Sequence, residues 1–173
     1  SAASDVYKRQ GQGRLMMIYE KLFNEYSQLT AQVLLTRESV YNEQCRKMVH
    51  RTFEQLLRMK VVPIVNENDV ISMDELAYGV IGDNDTLAAY VTELVGADLL
   101  IMMSDIDGLY ADDPNKNQSA RFIHTVAKID ENLEHMAKGS STDLGTGGME
   151  TKINAAKIAT SAGADMVIAN GKS

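Results

Sequence analysis

The chain has 173 residues, so one domain with a sizeable core is the default, and its 45% hydrophobic and 24% charged content is that of an ordinary globular protein. A net charge of −7 argues against a general binder of nucleic acid or of an anionic membrane, and no apolar run approaches the ~18–20 residues of a membrane span. Cys45 is the single cysteine, which excludes a disulfide framework and a cysteine-based zinc site; no signal-peptide pattern is visible, and a cytoplasmic location is the expectation.

Asp5-Val6-Tyr7-Lys8-Arg9-Gln10 has no periodicity and no turn chemistry. It reads like a translated sequencing adapter, so residues 1–10 are expected to be a non-native start, with the natural chain resuming near Gly11. Leu15, Ile18, Tyr19, Leu22, Phe23 and Tyr26 recur at helical spacing and predict an amphipathic helix. Ala31 to Leu35 is a short apolar strand candidate. Cys45, Val49, Thr52, Phe53, Leu56 and Leu57 predict a second helix over about 41–59. Val61-Val62-Pro63-Ile64-Val65 is β-branched and predicts a strand, with Pro63 marking an end or an edge. Leu87, Tyr90, Val91, Leu94 and Val95 predict a third helix, with Asn84 or Asp85 as its N-cap and Gly96 as its stop. Leu99 to Met103 is a continuous apolar run bounded by polar residues, which predicts a strand covered on both faces. A short helix is predicted over 131–138, another over 149–162 ending at Gly163, and a strand over 165–169. The abrupt end after that strand is expected to be a cut.

Helices that alternate with short apolar strands predict an α/β fold with a mainly parallel sheet and helices on both faces. Ligands in such folds sit beyond the carboxyl ends of the strands. Polar clusters fall there: Asn66-Glu67-Asn68-Asp69 after one predicted strand, and Ser104-Asp105 with Asp107-Gly108 after another. Each of these is also ordinary turn chemistry. Gly82-Asp83-Asn84-Asp85 opens a helix, and a cap needs only one such side chain, so the surplus points to ligand contacts. The last cluster is Gly145-Thr146-Gly147-Gly148-Met149-Glu150-Thr151-Lys152. A Gly-rich turn runs into a helix and delivers a lysine one turn later, which offers a polyphosphate bare N–H groups, the positive end of a helix dipole and a mobile cation. The spacing is not that of the Walker loop, and taken alone such a turn is more often just a loop.

Carboxylates repel phosphates, so a positive group must lie between these clusters: Mg²⁺, Lys152 or the ammonium of a substrate. That combination describes phosphoryl transfer to a small amine-bearing molecule better than nucleotide binding alone. His50, His124 and His135 show no partner spacing and are not read as metal ligands.

In this order and at these separations the clusters resemble the glutamate 5-kinase family of the amino-acid kinase superfamily. Val62 to Asp69 is similar to its strand and substrate loop, and Gly82 to Leu87 to its second substrate motif. Ser104 to Tyr110 with Asp113-Pro114 is similar to its nucleotide segment, and Gly145 to Lys152 to its phosphate loop. The resemblance covers about residues 11–173 and implies an incomplete three-layer α/β sandwich, a partial kinase domain. It implies ATP-dependent phosphorylation of the γ-carboxylate of L-glutamate, with ATP and Mg²⁺ as cofactors, in a homo-oligomer without nucleic-acid or membrane partners. By similarity Asn66, Asp69, Asp83 and Asn84 would hold glutamate. Asp85 would orient the catalytic lysines, and Lys152 would neutralise the transferring phosphoryl group. Ser104, Asp105, Thr146, Gly147, Gly148, Met149, Glu150, Thr151 and Lys152 would contact the nucleotide.

Departures from the family pattern are also visible. Ser104 stands where the family has Thr, and the stretch 77–81 is a few residues longer than usual. The family's N-terminal strand, first Gly-rich loop and first catalytic lysine are not in this sequence, so the chain alone is expected to have little or no activity. Sibling kinases acting on acetylglutamate, aspartate or UMP share the phosphate loop and remain alternatives, as does a non-catalytic nucleotide-binding role.

Overall fold

Two units divide the chain, Ser1–Ile81 and Gly82–Ser173. The computed structural model describes residues 2–68, 81–111, 117, 119–139 and 148–172.

The first unit runs α1 (Ala2–Asn24), β1 (Leu29–Leu35), α2 (Arg37–Tyr41), α3 (Glu43–Arg58) and β2 (Val61–Glu67). β1 and β2 pair in parallel, from Leu29 opposite Val61 to Leu35 opposite Glu67. A parallel pair needs a crossover, and α2 with α3 supplies it. The helix expected over 41–59 is α3, and the short α2 before it was not expected. Asn42 is extended between them, and its Oδ1 accepts from the N–H of Gln44 at 3.0 Å and of Cys45 at 3.1 Å. An Asn caps a helix better than it continues one. Phe53, Leu35 and Val40 are almost fully buried, and with Val61 they are the buried apolar residues of this unit among those described. Pro63 lies inside β2 opposite Ala31, and among the described residues β2 has one partner strand.

α1 starts well upstream of its first periodic apolar residue, Leu15. The expected amphipathic face is present, but the unit does not bury it. Leu15, Ile18, Tyr19 and Leu22 stay exposed, Phe23 is half-buried, and Tyr26 falls in the turn beyond the helix. Periodicity reports that a face is apolar; it does not report which element covers it.

The second unit runs α4 (Asn84–Val95), β3 (Leu99–Ser104), β4 (Leu109–Tyr110), β5 (Phe122–Ile123), α5 (Glu131–Gly139), α6 (Met149–Ser161) and β6 (Asp165–Asn170). β3 and β6 pair in parallel from Leu99–Asp165 to Ser104–Asn170, and β4 pairs antiparallel with β5. Ala89 of α4, Ala155 and Ala159 of α6, Ala164, and Leu100 and Met102 of β3 form one core cluster. Small side chains on both helices let them close on each other and on the strands. β3 is not covered on both faces within this unit. Leu100 and Met102 are buried, whereas Leu99, Ile101 and Met103 are exposed. An unbroken apolar run hides this alternation, because both faces read alike in the sequence. A second cluster joins Leu109, Leu133 and Ile153, with Ile123, Ile129, Met136 and Met149 around it.

Left-handed backbone at Gly96 (φ 65°) ends α4, as a glycine there permits. α4 leads into β3 and α6 into β6 through turns of three residues, Gly96 to Asp98 and Ala162 to Ala164. Each helix therefore runs antiparallel to the strand it packs on. The N-termini of both helices and the carboxyl ends of both strands share one end of the unit.

Candidate functional site

At that end the three polar residues that open α4 take three separate roles. Asp83, not Asn84 or Asp85, is the N-cap. Its extended backbone (φ −146°, ψ 156°) lets Oδ1 accept from the Thr86 N–H at 2.8 Å and Oδ2 from the Thr86 hydroxyl at 2.8 Å. Asn84 is exposed as the first helical residue. Asp85 turns instead toward α6. Its Oδ2 accepts from Lys152 Nζ at 3.0 Å and from Thr151 Oγ1 at 2.7 Å.

These contacts join residues 66 and 67 positions apart in sequence and tie the two helix N-termini together. The Lys152 side chain is 8% exposed and that of Asp85 15% exposed. An ammonium buried this far is costly unless it is paired. Asp85 also sits in the first turn of α4, where the positive helix end favours its charge.

Gly148 is the N-cap of α6 and offers no side-chain acceptor to the helix. Its backbone is extended (φ −83°, ψ −175°), and a Cβ built there meets nothing within 4 Å. Glycine is therefore not demanded by space or by φ. Its effect is to leave the first-turn N–H groups, which have no partner inside the helix, without a side-chain cap. Such groups fit an anion. Met149 packs its side chain into the second core cluster, so only its backbone faces the site, and Glu150 is exposed. Thr146 and Gly147 lie outside the described residues.

At the carboxyl end of β3 the Ser104 hydroxyl donates to Asp105 Oδ1 at 3.2 Å, and Asp105 is exposed. The bend after them is fastened to the end of β6. Asn170 Nδ2 donates to Asp107 Oδ1 at 2.7 Å, and the Gly171 N–H to the Ser104 carbonyl at 2.8 Å. Sequence reasoning missed Asn170; the only signal was an amide residue at the end of a predicted strand. It also read Thr151 as a nucleotide contact without foreseeing its bond to Asp85.

Asn66 belongs to the first unit, in β2, and its Oδ1 accepts from the Glu67 N–H at 2.9 Å. Glu67, passed over in the sequence, accepts the Ile81 N–H on Oε1 at 2.6 Å. Asn68 donates its N–H to the Leu35 carbonyl at 2.8 Å, holding the chain after β2 to the end of β1. Asp69 lies outside the described residues. Among the described residues no three His, Cys, Asp or Glu side chains stand together as a metal site. No described helix is long and apolar enough to cross a membrane.

A buried lysine–aspartate pair thus ties together the N-termini of two helices of this parallel α/β unit, beside a helix end whose bare N–H groups fit an anion. The amino acid kinase family matches residues 2–170, and the chain belongs to that family. Among its relatives, the glutamate 5-kinase of Carboxydothermus hydrogenoformans is 55% identical over 159 residues, which cover 92% of this chain and 42% of that protein. The glutamate 5-kinase of Clostridium tetani is 53% identical over 161 residues, covering 93% and 59%. That of Clostridium perfringens is 50% identical over 163 residues, covering 94% and 61%. The chain thus spans about half the length of the curated relatives it matches.

Proposed function

We propose that the protein is an ATP-dependent kinase that phosphorylates the γ-carboxylate of L-glutamate, giving L-glutamyl 5-phosphate for proline synthesis. The observation that carries the reading is the buried Lys152–Asp85 pair beside the uncapped N-terminus of α6. The names of the relatives at 50–55% identity, glutamate 5-kinases all three, favour glutamate over the acceptors of sibling kinases.

The chemistry asks little of an acid or base. A free γ-carboxylate has a reference pKa of about 4.3 and is already ionised at pH 7. One of its oxygens forms a bond to the γ-phosphorus of ATP, the bond from that phosphorus to the bridging oxygen breaks, and ADP leaves with the electron pair. The difficulty is to hold two anions in line. The first-turn N–H groups of α6 receive phosphate oxygens, and Lys152 offsets charge on the moving phosphoryl group. Asp85 keeps that ammonium aimed while no anion is close. Within the second unit, Asp83 and Asn84 at the start of α4 meet glutamate, and Ser104 and Asp105 meet the nucleotide beyond the end of β3. Mg²⁺ would be held chiefly by the nucleotide's own phosphates, since the described residues form no carboxylate cage for it; when bound it spreads the phosphate charge.

The test is an acceptor comparison on the full-length protein with ATP and Mg²⁺. ADP release is followed with glutamate, N-acetylglutamate, aspartate or UMP, and hydroxylamine traps any acyl phosphate. Glutamate is expected to give turnover and a γ-glutamyl hydroxamate. Faster turnover with any of the other three overturns the assignment.

A further inference from the structure

We propose that Thr151 is a positioning residue: its hydroxyl holds the Asp85 carboxylate, and through it the Lys152 ammonium, while only its backbone serves the nucleotide. The inference rests on the kinase reading above and assigns one residue of that site a different task from the one its motif implies.

Thr151 Oγ1 has two neighbours, Asp85 Oδ2 at 2.7 Å and the Gly148 carbonyl oxygen at 2.8 Å. Both are acceptors, and the hydroxyl has one hydrogen to give. A carboxylate is the stronger acceptor, so the hydrogen goes to Asp85. That hydroxyl is then engaged away from any phosphate at the start of α6. The Thr151 N–H remains, because its place in the first turn leaves it without a helical partner.

Asp85 needs this second donor for a geometric reason. Lys152 Nζ meets Oδ2 at 3.0 Å as a compact point charge, which attracts the carboxylate but does not orient its plane. Among the described residues no donor reaches Oδ1, so Lys152 alone would let the carboxylate turn. Thr151 is short and β-branched, with a stiff χ1, and it rises from the residue next to Lys152. Both donors converge on one oxygen, and the carboxylate plane is set from α6 itself. The ammonium is thereby held at one place, which an in-line transfer requires.

The experiment uses Thr151→Val in the full-length protein, which removes the hydroxyl at nearly equal volume and keeps the β-branch. The expected result is a kcat for glutamate-dependent ADP release lower by about 10- to 100-fold with the KM for ATP within about twofold, since a bond to a charged group is lost and none to the nucleotide. Thr151→Ser recovers most of the loss. In an Asp85→Asn background the same valine change lowers the residual rate by less than about threefold, because its target is already altered. A KM for ATP raised about tenfold at constant kcat would make Thr151 a nucleotide ligand and overturn the proposal. Full additivity with Asp85→Asn would overturn it as well. If Thr151→Val does not fold by circular dichroism, Thr151→Ala is read in the same way.

Should the wild-type protein not phosphorylate glutamate, the functional reading fails on its own, and two acceptor-independent measurements still decide this one. These are the ATP dissociation constant by calorimetry and a Thr151/Asp85 double-mutant cycle in urea unfolding. An unchanged constant with coupled stabilities supports the proposal; a weakened constant with additive stabilities overturns it.

Discussion

Asp85 Oδ2 receives Lys152 Nζ at 3.0 Å and Thr151 Oγ1 at 2.7 Å, so one oxygen joins the N-termini of α4 and α6. Lys152→Ala leaves a largely buried carboxylate short of a charge partner. It is expected to lower the unfolding free energy in urea by roughly 3 kcal/mol, near the low end for breaking a buried pair because Thr151 remains as a donor. Asp83 tests a different division of labour. Its carboxylate is spent on Thr86, so Asp83→Ala should cost about 1 kcal/mol and lower the melting temperature, whereas Asp83→Ser keeps a cap. Because Asp83 is also proposed to meet glutamate, the serine variant is expected to melt near wild type yet show a raised KM for glutamate. At this scale the residue types were legible in the sequence and the partners were not. Lys152 and Asp85 both stood out as charges in polar clusters. Nothing local told that they meet across 67 positions, or that Asp83 rather than Asn84 would cap the helix.

The start of α6 depends on what its N-cap lacks. Gly148→Ser is expected to stabilise the unit by only a few tenths of a kcal/mol, roughly the difference between serine and glycine at an N-cap, because open space surrounds the position and a hydroxyl can cap the first turn. The same variant should bind ATP more weakly in calorimetry, since the added acceptor competes with phosphate for those N–H groups. Gly108 is the opposite case. A Cβ there would lie 2.8 Å from the Phe122 ring, which is stacked edge-on with Tyr110 and His124. Gly108→Ala should therefore displace β5 and cost about 1–3 kcal/mol, read as a lower urea midpoint. Most helices and the longer strands were legible from apolar spacing, with boundaries blurred where a cap intervened, as at Asn42. The β4–β5 pair was not, because two-residue strands are shorter than any pattern that marks a strand. The one-sided cover of β3 was hidden for the reason its run is uniform: Leu99 to Met103 offers no polar residue to mark the open face.

Across the whole chain, the proposed kinase reading requires a net charge of −7 to coexist with a nucleotide and an amino-acid acceptor, both anionic. The resolution is local: one buried ammonium and a bare helix end supply positive potential at a single place in the second unit. The α/β class and the membership of the amino acid kinase family follow from the alternation of elements and from the match over residues 2–170. The acceptor is less directly written, because Asn66 lies in the first unit and Asp69 outside the described residues. The claim that this site transfers phosphate is tested most directly by the kcat of full-length Lys152→Met for glutamate-dependent ADP release, measured on protein shown to be folded by circular dichroism. Methionine keeps the length of the stem and removes the charge. A fall of at least about 100-fold is predicted, the loss typical of removing one principal electrostatic donor from a transfer site. A rate within about threefold of wild type would contradict it, and with it the place of Lys152 in the reaction.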